Sequence, residues 1–240
     1  MDTADARAAA TLAAARNNAD WCATVCRTHG IPERFRDAAW TSDRRTPPYY
    51  PDAVTLRPDA MPEDVLPWID TASPGCSVKD SFATLDLSGA GFTELFTARW
   101  IHRAAGTVPG RPAVPVESAA DLAAWQAVWH GAGDPPDVFR TALLADPSVL
   151  VLAVPAGIGP AGIGPAGGAV LNRSASVVGL SNVFAADGVD PTTIWTAALV
   201  AAARFAPALP VVGYERGRDL ETALSVGFVA AGDLRVWMRG

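Results

Sequence analysis

The chain has 240 residues, of which half are apolar and 18% are charged, and its formal net charge is −6. This is enough apolar sequence for a core in one large or two small domains. Arginine supplies almost all of the positive charge, Lys79 is the only lysine, and the basic residues form no cluster. The composition therefore argues against a nucleic-acid partner and suits an amine or cationic substrate better.

The sequence predicts a soluble, cytoplasmic protein without a metal site. Its three cysteines, Cys22, Cys26 and Cys76, and its three histidines lack the spacing of zinc ligands, so we expect free thiols in a reducing compartment. The acidic N-terminus lacks a signal-peptide pattern. The uncharged run 147–172 contains "PAGIGPAGIGPAGG", whose prolines and glycines argue against a membrane-spanning helix and predict an expanded surface loop.

Residues 1–110 are predicted to form a helical region followed by short strands. An alanine-rich helix or helix pair covers 3–29 and is closed by Gly30 and Pro32. The other predicted elements are a strand at 53–56, a short helix in "MPEDVLPWID", and strands in "SFATLDL" and "FTELFTARWIH". The proline-rich "TVPGRPAVP" is the best boundary, which gives predicted domains at 1–110 and 111–240.

Residues 111–240 alternate more regularly between helix and strand. The predicted elements are a helix after Ser118, a helix in "PPDVFRTALLAD", a strand in "VLVLAV", two strands in "GGAVLNRSASVVGLSNVF", a helix at 192–205, a strand in "LPVVGY", a helix in "RDLETALSVGF" and a strand in "DLRVWMR". This order predicts a mixed α/β fold with helices on both faces of the sheet.

Three groups of segments resemble a known superfamily. They are "RWIHRA…ESAADLAAWQAVW", "VLVLAV…GGAVLNRSASVVGLSNVFA" and "LPVVGYERGRDLETALSVGF…DLRVWMR". In this order they resemble the GNAT N-acyltransferases, with "SVGF" before the last strand as the most specific match. The resemblance implies a central mixed sheet flanked by helices, whose first strand lies at 92–103. Within 50–100, "DLSGAGFTELFTARWI" resembles the ending of a degenerate first GNAT unit, as in a tandem protein.

The resemblance also implies a co-substrate, an acyl-CoA and most simply acetyl-CoA. It would lie in a V-shaped split between two parallel strands at 177–184 and 209–214. Its pantetheine arm would pair with the first strand, and its pyrophosphate would meet the N-terminus of the following helix. The implied cofactor-binding residues are Ser181, Val183, Phe184, Ala185, Thr192, Thr193 and Trp195.

Two features depart from the family pattern. The glycine positions of the pyrophosphate turn fall on Thr193 and Trp195, and the indole would crowd a pyrophosphate. Asp190 adds a negative charge beside that anion, or caps the helix with Pro191 at its first position. The tyrosine that commonly acts as general acid is replaced by Ala223. We therefore expect a weak pyrophosphate site on an intact scaffold.

Tyr214, Glu215 and Asn182 are the catalytic candidates. Tyr214 would replace the missing acid, and Glu215 would take a proton from the amine, unless it pairs with a neighbouring arginine on the surface. Ser181 and Asn182 would orient the acyl group or the substrate at the split, or would form a strand-end turn.

Three further features have plain structural interpretations. Lys79, Asp80 and Ser81 resemble a polar catalytic cluster in their sequence only, because neighbours in a strand face opposite ways. We expect a loop ion pair there instead. His102 is the only histidine near the expected cleft; we expect it to be solvated or hydrogen-bonded, and a catalytic role is the alternative. The eight tryptophans are expected mainly to fill the core.

The sequence therefore predicts an N-acyltransferase, acting with acetyl-CoA on an amine of a small molecule or peptide. A homodimer is left open. Two alternatives remain: a catalytically degenerate GNAT-fold binding or scaffold protein, and a GNAT fold used for a different biosynthetic reaction.

Overall fold

A computed structural model describes residues 3–156 and 164–240. The loop predicted in "AGIGPAGIGPAG" falls largely outside these described residues. The chain divides into two compact units: unit 1 contains residues 1–101, 214–216 and 230–240, and unit 2 contains 102–213 and 217–229. Both ends of the sequence therefore contribute to unit 1, and the predicted division at residue 110 stays a prediction.

Unit 1 begins with one long helix, α1 (Thr3–Thr28). Its alanines favour a helix, and the helix ends where Gly30 takes a positive φ of 66° and the N–H of Ile31 bonds back to the carbonyl of Cys26 at 3.0 Å. One side of α1 is buried against a cluster that includes Trp40 and Val54. The helix is thus held by tertiary packing, which a long alanine-rich helix needs in order to be stable.

The strands of unit 1 form a mixed sheet. They are β1 (Arg34–Phe35), β2 (Ala39–Thr41), β3 (Ala53–Thr55), β4 (Cys76–Asp80), β5 (Thr93–Arg103) and β11 (Val229–Arg239), although the last two residues of β5 and the first of β11 belong to unit 2. Their order is β1-β2-β3-β4-β11-β5, with β3 and β4 parallel and β4 and β11 antiparallel. The short helix α2 (Pro62–Val65) and the 3-10 turns Leu66–Trp68 and Ser88–Ala90 lie in the connections.

The strand predicted in "SFATLDL" is wrong, because the strand is the preceding segment, β4. All five residues of β4 are buried, although two of them are charged. The carboxylate of Asp80 accepts the N–H groups of Phe82 at 3.2 Å and Leu85 at 2.9 Å, which folds the following residues around it. These bonds satisfy a buried charge, while burial still raises the pKa of Asp80 above its ordinary value.

The loop ion pair predicted between Lys79 and Asp80 is also wrong. Both residues lie in β4, where adjacent side chains point to opposite faces. Lys79 donates from Nζ to Oδ1 of Asn18 on α1, at 2.9 Å. The two charges therefore have separate partners.

Unit 2 contains a second mixed set of strands. These are β6 (Val114–Pro115), β7 (Val149–Pro155), β8 (Pro165–Arg173), β9 (Val178–Ala185) and β10 (Val211–Glu215), whose last two residues belong to unit 1. The order is β10-β9-β8-β7-β6, antiparallel except between β9 and β10. The helices are α3 (Ala119–His130), α4 (Pro191–Phe205) and α5 (Gly217–Ser225).

The helix predicted in "PPDVFRTALLAD" is wrong except for a 3-10 turn at Thr141–Ala145. Arg140 is extended, with ψ of 151°, which interrupts any helix. Val138 and Phe139 are both fully buried although they are adjacent. The N–H of Phe139 donates to Gln126 of α3 at 3.0 Å, so the segment is an extended cover for α3.

Two adjacent glycines let helices approach β8 from both faces. A Cβ on Gly168 would lie 2.2 Å from Nε1 of Trp125 in α3, and a Cβ on Gly167 would lie 2.6 Å from Cδ1 of Ile194 in α4. Adjacent strand residues point to opposite faces. The mixed α/β layers predicted from the sequence, with helices on both faces, are therefore confirmed in this unit.

Cys22, Cys26 and Cys76 are free thiols, and all three are buried. Burial raises the pKa of Cys22 to about 11, so that thiol is protonated at neutral pH. Among the helices of the described residues, none is long and apolar enough to cross a membrane.

Candidate functional site

The parallel strands β9 and β10 define the first part of the site. As predicted, they are neighbours and are joined through α4; Val178 pairs with Val211, and Gly179 with Val212. The N–H of Val178 donates to the carbonyl of Pro210 at 2.9 Å. This ladder covers the beginning of β9, and the strand then runs on to Ala185 in register with β8. Its second half is partly exposed, whereas its first half is buried.

A β-bulge lies in that second half. Gly168 pairs with Phe184 and Val170 pairs with Ser181, so Asn182 and Val183 together face the single residue between those two on β8. Asn182 has a φ of 52°, in the left-handed region that asparagine tolerates better than most residues. Its Nδ2 donates to Oγ of Ser181 at 3.0 Å. The bulge takes backbone groups out of the ladder, and these can bind a ligand.

The side chains of Phe184 and Trp195 point into the core of unit 2. Phe184 makes an edge-to-face contact with Trp125, with ring centroids 5.0 Å apart. Trp195 is 2% exposed and makes a similar contact with Phe228 at 5.5 Å. The expectation that the Trp195 indole would crowd a pyrophosphate is therefore wrong, because the ring does not face the turn.

Asp190 caps α4, which is the simpler of the two sequence interpretations. Its carboxylate accepts the N–H of Thr192 at 2.9 Å and the hydroxyl of Thr192 at 2.6 Å. The hydroxyl and N–H of Thr192 lower the pKa of Asp190. The N–H of Thr193 bonds to the carbonyl of Asp190 at 3.0 Å, and Pro191 has none to give. The donors that a pyrophosphate would need at this turn are already used.

Space is available beside the same turn. A cavity of about 860 Å³ is lined by Thr192, Thr193 and Thr196 of α4 together with residues 110–112 and 154–156. A ligand group can therefore reach the threonine side chains without a steric clash. The volume beside this turn therefore leaves room for a ligand group.

Tyr214 and Glu215 end β10 and belong to unit 1, whereas Asn182 and all the predicted cofactor-binding residues belong to unit 2. The Tyr214 ring makes an edge-to-face contact with Trp100 at 5.5 Å, and Nζ of Lys79 lies over the ring. Glu215 is half-buried. Tyr214 is thus held by two neighbours in unit 1.

Two other sequence expectations concern a general acid and a histidine. Ala223, at the family's tyrosine position, is fully buried, and its carbonyl accepts the N–H of Phe228 at 3.2 Å. The helix end around Gly227 therefore offers no tyrosine hydroxyl at position 223 to act as a general acid. Burial lowers the pKa of His102, which favours its neutral form. Within the described ranges, no cluster of three or more histidine, cysteine or acidic residues could hold a metal ion.

The comparison with known proteins concerns the fold. No protein-family model matches the chain, and no curated protein does. Among solved structures, the chain is similar to a GCN5-related N-acetyltransferase from Kribbella flavida, with 12% identity over 94% of this chain and 95% of that one, and a TM-score of 0.59. It is also similar to a structure from Novosphingobium aromaticivorans that is assigned to the GNAT family, with 12% identity, 89% and 93% coverage and a TM-score of 0.54.

A third similar structure is a conserved protein of unknown function from Staphylococcus epidermidis. The identity is 12%, the coverage is 70% of this chain and 73% of that one, and the TM-score is 0.50. At such identities the similarity shows the fold alone. The chain has the GNAT fold, as the resemblance of its segments predicted.

Lys79 lies in the buried strand β4 and not in the loop that the sequence predicts. It is 4% exposed and lines a cavity of unit 1. The one available signal was its uniqueness, because a single lysine in 240 residues is unusual.

Proposed function

We propose that the protein is an N-acyltransferase that moves an acyl group, most simply acetyl, from an acyl-CoA to an amine of a small molecule or peptide. A fold by itself does not fix a reaction. The observation that carries the proposal is β9, whose ladder with β10 ends early and whose bulge at Asn182 and Val183 leaves backbone groups outside the sheet. Amide groups so placed suit the amide-rich pantetheine arm of CoA.

The proposed reaction is direct attack of a neutral amine on the thioester carbonyl. The amine first forms the C–N bond, which gives a tetrahedral intermediate whose oxyanion the backbone N–H groups at 181–185 would stabilise. Collapse of this intermediate then breaks the C–S bond and releases the CoA thiolate. We assign Glu215, or a water, to accept the proton of the amine, and Tyr214 to protonate the departing CoA thiolate. Asn182 would orient the acyl group.

The occupied turn before α4 supports a particular mode of CoA binding. Because the N–H groups of Thr192 and Thr193 are bonded to Asp190, the pyrophosphate gains little there. The pantetheine arm would therefore supply most of the affinity. Such binding depends weakly on salt, since its main contacts are neutral hydrogen bonds.

The test combines binding and turnover. Calorimetric titration with CoA and acetyl-CoA should show binding, and a panel of amines should release free CoA thiol from acetyl-CoA in an enzyme-dependent way. The protein's own three cysteines are buried, so they add little to a thiol signal. Native mass spectrometry of fresh protein would report bound CoA and subunit number, which also tests a homodimer.

A second candidate function is a GNAT-fold binding or scaffold protein that does not transfer acyl groups. The observation that favours it is the pair of departures at Ala223 and at the capped turn. Absence of CoA binding at millimolar concentration would select this candidate. CoA binding without turnover on any amine would point instead to a different reaction on the same scaffold.

A further inference from the structure

Unit 1 contains a cavity of about 630 Å³ that includes the only lysine of the chain. Its lining is mainly apolar and includes Pro47, Pro48, Tyr49, Leu95, Phe96 and Met238. Lys79, Arg45 and Tyr214 add polar groups. A volume of this size is suitable for a small organic ligand.

Lys79 lies deep in this unit. Its backbone pairs with Val54 of β3 on one side and with Val236 of β11 on the other, and its side chain is almost wholly buried. Two neutral groups hold its ammonium: Oδ1 of Asn18 at 2.9 Å, and the ring of Tyr214, whose centroid is 4.1 Å away. In the described part of the chain, the ion pairs do not include Lys79.

This arrangement is costly for a purely structural residue. A buried ammonium loses its hydration, and neutral contacts recover only part of that loss. A methionine or leucine could fill the same volume without the penalty. A negative charge brought by a ligand would complete the set of contacts.

Arg45 differs from Lys79 although it lines the same cavity. Its guanidinium is ion-paired with the buried Asp52 and donates to the carbonyls of Asp70 at 3.0 Å and Ser73 at 2.8 Å. These bonds fix Arg45 as part of the wall. Lys79 is therefore the cation best placed to receive an anionic ligand.

The rest of the lining indicates what the anion would be attached to. Tyr49 and Leu95 are 69% and 51% exposed, and a ligand in the cavity would cover apolar surface on both. Tyr49 also has a positive φ of 72°, a strained conformation of the kind that persists at ligand sites. Aromatic rings of Tyr214 and Phe96 complete a surface that suits an apolar body better than a sugar or a phosphate chain.

We propose that this cavity binds a small monocarboxylate with an apolar body, whose carboxylate pairs with Nζ of Lys79 and whose body packs on Tyr49, Leu95 and Phe96. The site does not depend on acyl transfer, and it is tested without CoA. A carboxylate–ammonium pair in a partly desolvated site is strong enough to separate a charged ligand from a neutral one of the same shape.

Calorimetry with matched small molecules tests the charge requirement. We expect 3-phenylpropionate or octanoate to bind about tenfold or more tightly than its amide, which corresponds to about 1.4 kcal/mol. Lys79→Met should reduce this ratio to about one. Arg99→Met is the matched control, because Arg99 is a surface cation of β5 paired with Asp233, and its removal should leave the ratio unchanged.

Two further measurements guard against misfolding of the Lys79 variant. With 13C-labelled lysine, the wild-type protein gives a single lysine side-chain signal, which should shift on addition of the carboxylate and stay in place with the amide. Leu95→Asp, at an exposed position of the lining, should weaken carboxylate binding by charge repulsion. The proposal is overturned if neither carboxylate binds at millimolar concentration, if acid and amide bind equally, or if the lysine signal does not respond.

Discussion

The Nζ of Lys79 lies 4.1 Å from the centroid of the Tyr214 ring. The contact joins the middle of β4 to the last part of β10, which are far apart in the sequence but belong to the same unit. A cation over the face of an aromatic ring is attracted by the electrons of the ring, and the phenol hydroxyl is not part of that contact. The ring and the hydroxyl of Tyr214 can therefore be tested separately.

Tyr214→Phe should keep the fold and lose catalysis. The ring contacts with Lys79 and Trp100 remain, so we expect the free energy of unfolding to change by less than about 0.5 kcal/mol, whereas kcat should fall about a hundredfold if the phenol is the general acid. Tyr214→Leu removes the ring as well and should cost about 1–3 kcal/mol in urea unfolding. Full kcat in Tyr214→Phe would remove Tyr214 from the mechanism.

Asp190→Asn should strengthen CoA binding by about threefold to tenfold, because the substitution removes a negative charge from the turn while asparagine still caps the helix. CoA affinity of the wild-type protein should depend little on salt. Calorimetry at low and high ionic strength checks both statements. Asp187→Asn, at an exposed acid in the same loop, is the control and should change the affinity less. A wild-type affinity that collapses in salt, with no gain in Asp190→Asn, would show that the pyrophosphate is held well.

Asn182 is expected to tolerate glycine and to reject valine. Its φ of 52° is open to glycine but costs a β-branched residue about 1–3 kcal/mol. Thermal unfolding and CoA titration of Asn182→Gly and Asn182→Val measure the difference, and the valine variant should lose both stability and CoA affinity. If both variants matched the wild-type protein in stability and binding, the bulge would have no role in the site.

Gly168→Ala should destabilise unit 2. The added Cβ would meet Nε1 of Trp125 at 2.2 Å and the carbonyl of Leu152 at 2.6 Å, which are joined by a buried hydrogen bond of 2.8 Å. We expect a loss of about 1–3 kcal/mol in chemical unfolding. Gly89→Ala, with open space around the new methyl group, should be near neutral. Equal stability of the two variants would mean that α3 can move away from β8 at little cost.

The sequence predicted the GNAT fold but not the surroundings of Lys79. Local sequence patterns identify β7, β8, β9 and α4, because runs or repeats of apolar residues mark each element. Asp190 followed by Pro191 is a typical helix start and marks the beginning of α4. The burial of β4 cannot be predicted from its own residues. It depends on Asn18, which lies 61 positions away from Lys79, and on N–H groups that follow Asp80 in a loop. The sequence does not predict the bulge at Asn182 either, because the bulge depends on how β9 pairs with β8.

A fragment of residues 112–240 should be less stable than the full chain. In the full chain, β11 pairs with β4 from Arg235 opposite Asp80 to Arg239 opposite Cys76, and the fragment leaves this edge of β11 open. An exposed strand edge favours aggregation. Differential scanning calorimetry and size-exclusion chromatography would measure the loss, and a fragment that is monomeric and melts with the full chain would contradict this expectation.

Burial of the single lysine has a consequence under the proposal that the protein binds an acyl-CoA. A thioester is an electrophile, and an exposed, neutral lysine amine is a nucleophile that can attack it without a catalyst. Here arginine supplies the positive charge apart from Lys79, and the one ε-amino group is 4% exposed and hydrogen-bonded to Asn18. Apart from the amino group that lines the cavity of unit 1, the chain thus has no lysine side chain for the proposed co-substrate to acylate.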